Sequence, residues 1–370
     1  MIRNALMLLL FLVLSSCSAQ KDDYHLKDVF KDNFKMGSAV NRLQITQPDS
    51  ISLAFIKRHF NSITTENDLK WEKVHPEKDR YNFEPADAYV DFGEKNNMFI
   101  VGHVLVWHSQ TPDWVYQDDQ GNELSKEALL ARLKDHIFTV ASRYKGRIHG
   151  WDVINEAFND DGSYRDTKYY RITEGEFLEK AFIWAHQAAP DAELYYNDFN
   201  MWKPGKIEAV VNMVNSFKKK GITIHGIGMQ GHWGTDYPGM DSVEQAIESF
   251  AATGLKVHIT ELDMRVLPDP SGGSGAEVER NYAFDEKYNP YKEGLPDSVQ
   301  NLLTERWLTF FNTFNKYKDS IERVTLWGIH DGFSWRNNWP VYGRTSYPLL
   351  FNRDLSPKPA VEAIIKASKE

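Results

Sequence analysis

Ile148-His149-Gly150-Trp151-Asp152-Val153 runs straight into Ile154-Asn155-Glu156, and this stretch decides how the chain is read. Its first six residues predict a short strand, and a glutamate follows just past the carboxyl end. The same pattern returns where Lys256-Val257-His258-Ile259-Thr260 leads into Glu261-Leu262-Asp263. In a barrel of parallel strands, that is the end where catalytic groups gather. An arbitrary glutamate in a loop is a solvated charge; the neighbours of these two set them apart.

Working outward, β-rich runs alternate with helical periodicity along the chain. Strands are predicted at Phe34–Ala39, Ser62–Thr65, Phe99–Val106, Ile148–Val153, Glu193–Tyr196, His225–Met229, Lys256–Thr260 and Arg323–Trp327. Helices are predicted at Ser52–Phe60, Ala86–Lys95, Lys126–Tyr144, Glu174–Ala188, Pro204–Lys220, Ser242–Ala252, Ser298–Lys318 and Pro359–Lys369. Pro204 suits a first helical turn, where its missing N–H would be unpaired anyway. Gly221 and Gly254 stand where left-handed caps end helices. Strict alternation of this kind predicts an α/β fold, a single-domain (β/α)8 TIM barrel. The runner-up, a doubly wound open sheet, lacks a Gly-rich dinucleotide fingerprint after the first strand. The long irregular stretch Pro268 to Pro296 is expected at the rim of the cleft.

Composition sets further bounds. Hydrophobic residues make up 42% and charged residues 26%, which fits a globular domain. A net charge of -9 without a basic stripe argues against nucleic acid as a partner. The 11 Trp, 17 Tyr and 21 Phe make an aromatic-rich chain; much of this is expected in the core, and some rings are expected as flat platforms for sugars. Arg3 followed by the apolar Ala5 to Leu14 predicts an export signal over residues 1–16, too short to span a bilayer. Leu14-Ser15-Ser16-Cys17 resembles a bacterial lipobox, so Cys17 is expected to carry lipid. Residues 17–33 would then be a tether and residues 34–370 the catalytic domain. An exported lipoprotein at the outer membrane, on its periplasmic or surface face, is the expected location. Cys17 is the sole cysteine, so no intrachain disulfide forms.

Unusual residues fall at the end of nearly every predicted strand. Glu66 and Asn67 follow the second, with Lys70-Trp71 close behind. His103, Trp107, His108 and Gln110 end the third, Asn155 and Glu156 the fourth, and Asn197 and Asp198 the fifth. Gln230 and His232 follow the sixth, Glu261 and Asp263 the seventh, and Trp327 and Asp331 the eighth. A barrel built only for stability would not concentrate charge at one end, because buried charge costs free energy unless paired. Two carboxylates across a cleft can cleave a glycosidic bond, one protonating the leaving oxygen while the other attacks or activates water. A metal held by His103 and His108 is disfavoured, because an extended strand turns them to opposite sides and zinc wants three or four convergent ligands.

The strings Thr-Glu-Asn with Lys-Trp, Gly-His-Val-Leu-Val-Trp-His, Trp-Asp-Val-Ile-Asn-Glu, Tyr-Tyr-Asn-Asp, Ile-Thr-Glu-Leu-Asp and Trp-Gly-Ile-His-Asp-Gly-Phe-Ser-Trp together resemble glycoside hydrolase family 10. The resemblance runs from about Phe34 to the carboxyl terminus. It implies a retaining endo-β-1,4-xylanase with Glu156 as acid/base and Glu261 as nucleophile. It implies that His232 hydrogen-bonds the nucleophile, that Asp263 fixes one tautomer of that histidine, and that Asn155 meets the sugar 2-OH. Glu66, Asn67, Lys70, His103, Trp107 and Gln110 would bind the glycone, with Trp327 and Trp335 covering it and Gln230 near the carboxylates. Xylan and xylo-oligosaccharides are the expected partners, with no cofactor and no metal. The rivals are a β-1,4-glucanase and a xylan-binding lipoprotein without turnover. Asn197 and Asp198 read as structural groups or as supports just behind the residues that meet substrate. Trp233 and Trp339 read equally as sugar platform or barrel wall.

Overall fold

Lys35–Val40 pairs on one side with Ser62–Thr65 and on the other with Ile321–Leu326, so the first and last strands of the barrel meet. In this computed structural model, which describes residues 24–46, 50–272 and 276–369, all the barrel pairings are parallel. Phe99–Trp107, Gly150–Asn155, Glu193–Asp198, Gly226–Met229 and Lys256–Arg265 complete the ring. The sixth strand pairs directly with the seventh, Gly226 opposite Lys256, and the seventh with the eighth, Val257 opposite Ile321. The sheet is therefore a closed (β/α)8 barrel, and the open doubly wound alternative is excluded. Closure removes the exposed edges that an open sheet would leave.

Helices form where the pattern places them. Pro204–Lys220 starts with its proline in the first turn and ends on Gly221 at φ +67°. Ser125 caps Lys126–Arg143 by accepting the Ala128 N–H at 3.3 Å. Such caps satisfy the orphan amides of a first turn and are worth about 1 kcal/mol. The long helices bury an apolar face, as Leu129, Leu133, Ile137 and Val140 do in Lys126–Arg143.

The domain begins earlier than residue 34. Leu26–Val29 is a short helix, and Leu26 and Phe30 are fully buried in the core. Phe30 stacks on Phe34 at 5.1 Å and tilts against Phe311 of the Asp297–Lys316 helix at 5.1 Å. The stretch expected to be tether up to residue 33 thus belongs to the barrel from Leu26 onward. Two apolar positions four apart among lysines and aspartates were too sparse a signal to read. The export signal and Cys17 lie outside the described residues. Among the described residues no helix is long and apolar enough to cross a membrane.

Candidate active site

The seventh strand is ten residues long, and its second half carries Glu261 and Asp263 into the mouth of the barrel. The fourth strand ends at Asn155, and Glu156 follows in the left-handed region at φ +59°. That conformation costs an L-residue roughly 1–2 kcal/mol. It is held by the Glu156 N–H donating to the Asn197 carbonyl at 2.9 Å. Gly102 explains how the neighbouring third strand can lie so close. A Cβ there would sit 2.2 Å from the ring of Trp151, itself fully buried.

Both glutamates are buried and both are fully hydrogen-bonded. Glu156 Oε1 accepts from Gln230 Nε2 at 2.8 Å and Asn155 Nδ2 at 3.1 Å, and Oε2 from Trp107 Nε1 at 3.0 Å. Glu261 Oε1 accepts from Asn197 Nδ2 at 2.7 Å, and Oε2 from His232 Nε2 at 3.2 Å. The two systems are joined, because Asn155 Oδ1 accepts from both Asn197 Nδ2 at 3.0 Å and Gln230 Nε2 at 3.2 Å. Thr260 Oγ1 closes the chain by donating to Asn197 Oδ1 at 2.6 Å. A network satisfied this completely fixes its members rigidly.

Their proton affinities diverge. Burial raises the pKa of Glu156, and the negative charge of Glu261 adds to the rise, against the pull of Arg165, Gln230 and Trp107. Burial is the larger cause. Burial also pushes Glu261 upward, but the His232 hydrogen bond, the fields of His103 and His232, and Asn197 outweigh it, so its pKa is lowered. The environment therefore moves the two proton affinities in opposite directions, as a general acid and a nucleophile require.

His232 departs from the expected neutral tautomer. Burial disfavours its charge, but Asp263 and Glu261 reverse that and bring its pKa to about 9. Nδ1 meets Asp263 Oδ1 at 3.0 Å and Nε2 meets Glu261 Oε2 at 3.2 Å. It is an imidazolium between two carboxylates, donating to both. Asp263 in turn accepts from Trp335 Nε1 at 2.6 Å and Arg336 Nε at 2.7 Å. Trp335 is thus tied by its N–H as well as its face, and stacks on Trp339 at 4.5 Å.

All of the substrate-binding residues expected from the sequence line one cavity of about 210 Å³ with Glu156 and Glu261. Lys70 Nζ donates to Asn67 Oδ1 at 3.0 Å and Gln110 Oε1 at 2.9 Å, and lies 4.9 Å above the Trp107 ring. His103 Nδ1 is tied to Asp152 Oδ2 at 2.8 Å, and its ring meets Trp327 edge-on at 5.5 Å. His108 lines a separate cavity with Arg165, so the two histidines do not converge. Ala276 and Val278 bring the long loop after the seventh strand to the cavity wall, as its place in the chain predicted.

Asn197, read as a structural or supporting group, touches Glu261 directly. Three residues escaped the sequence reading. Asp152, Arg165 and Arg336 act through His103, Glu156 and Asp263, contacts that no local pattern encodes. Asp198 is structural as expected, buried against Lys206 Nζ at 2.6 Å. Trp233 is barrel wall, stacked on Phe310 at 4.3 Å, and Trp339 backs Trp335 from behind the cavity.

Residues 25–367 match the model of glycosyl hydrolase family 10. The chain is 46% identical over 341 residues to endo-1,4-beta-xylanase A of Xylanibacter ruminicola, covering 92% of each. It is 40% identical over 371 residues to a beta-1,4-xylanase of Dictyoglomus thermophilum, covering 98% of each. Among solved structures, a GH10 endoxylanase retrieved from a sugarcane soil metagenome superposes with a TM-score of 0.90 at 45% identity. That likeness covers 92% of this chain and 99% of the other.

Proposed function

This chain belongs to glycosyl hydrolase family 10, and from that premise we propose that it is a retaining endo-β-1,4-xylanase with Glu156 as acid/base and Glu261 as nucleophile. The observation that carries the residue assignment is the opposite displacement of two buried carboxylates on one hydrogen-bonded network. Glu261 attacks the anomeric carbon while Glu156 passes its proton to the leaving oxygen, giving a glycosyl ester on Glu261. Loss of the Glu261 charge then lowers the proton affinity of Glu156. It takes a proton from water, which attacks the same carbon and frees Glu261. Asn155 meets the sugar 2-OH, a hydrogen bond that tightens as the ring approaches an oxocarbenium ion.

Xylose lacks the hydroxymethyl group of glucose, so a rigid wall can separate them. Trp327 and Trp335 supply that wall, and the anchoring of Trp335 to Asp263 and Trp339 supports its rigidity. Release of reducing sugar from xylan, with a ladder of internal products, tests the activity. Equal rates on β-1,4-glucan would remove the specificity while leaving the chemistry. Glu156→Ala should lose most on substrates with poor leaving groups and regain rate with added azide. Near-native xylan turnover in both Glu156→Ala and Glu261→Ala would overturn the assignment.

The amino terminus extends the proposal: export through residues 1–16 and lipidation of Cys17, placing the enzyme at a membrane surface. The apolar run and the Leu-Ser-Ser-Cys string support this. Membrane fractionation of the full chain beside Cys17→Ala tests it, since a soluble wild type would end the anchoring idea.

A further inference from the structure

The opposite end of the barrel gathers a second group of ionisable side chains. Glu193 opens the fifth strand, His258 stands near the start of the seventh and Glu322 near the start of the eighth. One donor atom from each lies within 4.8 Å of the other two. His258 is 1% exposed, and neither of its ring nitrogens has a hydrogen-bond partner among the described residues. A buried side chain with both polar atoms unpaired calls for a partner. Gly226 leaves room on one flank, since a Cβ there would lie 2.5 Å from His258 Nε2.

We propose that Glu193, His258 and Glu322 bind a divalent transition ion of the zinc type, with water completing the coordination. One imidazole and two carboxylates form a mixed nitrogen and oxygen set, which suits zinc. Calcium takes six to eight oxygens and magnesium a strict octahedron, so neither fits three such donors. Tetrahedral zinc with bonds near 2.0 Å places its ligands about 3.3 Å apart. The donors must therefore close inward, which the two glutamates can do because both are only partly buried.

The surroundings support ligation and also limit it. His258 is buried with both ring nitrogens unpaired among the described residues, which leaves a ring nitrogen free to ligate. Tyr195 donates its hydroxyl to Glu193, and Lys35 Nζ meets Glu322 Oε1 at 2.9 Å. Partners of this kind orient metal-binding carboxylates. Lys35 and Arg323 also offset the two negative charges, so binding is expected to be weaker than in a site free of cations.

The test uses the full chain, stripped with a chelator and titrated with zinc chloride, with magnesium chloride and calcium chloride as controls. Calorimetry is expected to give one zinc per chain, and thermal scans a rise of a few degrees with zinc alone. His258→Gln and Glu322→Gln should each abolish both signals while xylan turnover stays at the wild-type level. Glu193→Gln and Glu322→Gln, both at partly exposed positions, serve if His258→Gln fails to fold. Absence of saturable zinc binding, or binding that survives these substitutions, overturns the proposal.

Discussion

At the carboxyl ends of the strands every oxygen of Glu156 and Glu261 accepts a hydrogen bond, whereas at the amino ends His258 is buried as deeply with neither nitrogen partnered among the described residues. Both ends pack aromatic rings against ionisable groups: Trp335 against His232 at 4.9 Å above, Tyr195 against His258 at 4.6 Å below. The difference lies in the amides. Asn155, Asn197 and Gln230 join the two carboxylates through neutral bonds, while burial raises the proton affinity of Glu156 and His232 lowers that of Glu261. The base has Lys35 and Arg323 instead, which supply charge but leave His258 unpaired. A buried polar group becomes a tuned reagent when hydrogen-bond partners satisfy it; without them it awaits a ligand.

The largest break in this contrast comes from Glu261→Gln, which keeps the shape and removes the nucleophile. Turnover on xylan should fall about 10⁴-fold or more, with the circular dichroism spectrum unchanged. Trp233→Ala tests whether that ring belongs to the wall. Denaturant unfolding should show a loss of about 3–5 kcal/mol with KM for xylan unchanged. A raised KM at unchanged stability would make it a sugar platform.

His232→Asn sharpens the comparison from the side of charge. It removes a hydrogen bond to a charged group, so kcat should fall about 10- to 100-fold. The acid limb of the kcat/KM profile should move to higher pH, because Glu261 loses the partner that holds its pKa low. Stability follows the opposite window. The folded-state pKa of His232, about 9, lies above its usual 6.5. Its contribution is therefore complete below pH 6.5 and lost as pH rises through about 9. Denaturant curves of wild type and His232→Asn should converge over that interval. The smallest change is at the base: Glu322→Gln without metal breaks a pair about a third exposed, and should cost under about 1 kcal/mol.

Regular elements were legible where local physics is strong. Ser62–Thr65 and Pro204–Lys220 were read with the observed bounds, one from its β-branched run, the other from its proline start and glycine stop. Arg42–Thr46, Trp71–Val74 and Lys168–Thr173 were not, because helices of one or two turns are too short to display a period. Trp107 was legible as a cavity residue but not as a donor to Glu156, since indole N–H direction depends on the neighbouring strand.

The order of β-rich and helical segments, and the placing of two glutamates just beyond strands, are local properties, and the chain's own pattern determined the barrel and its mouth. Tertiary structure alone decided the charge states. His232 is an imidazolium because Glu261 and Asp263 come to opposite sides of one ring, and the proton affinity of Glu156 is raised chiefly because it is buried. Proton affinity depends on burial and on distances between groups far apart in the chain, and those exist only once the barrel has closed.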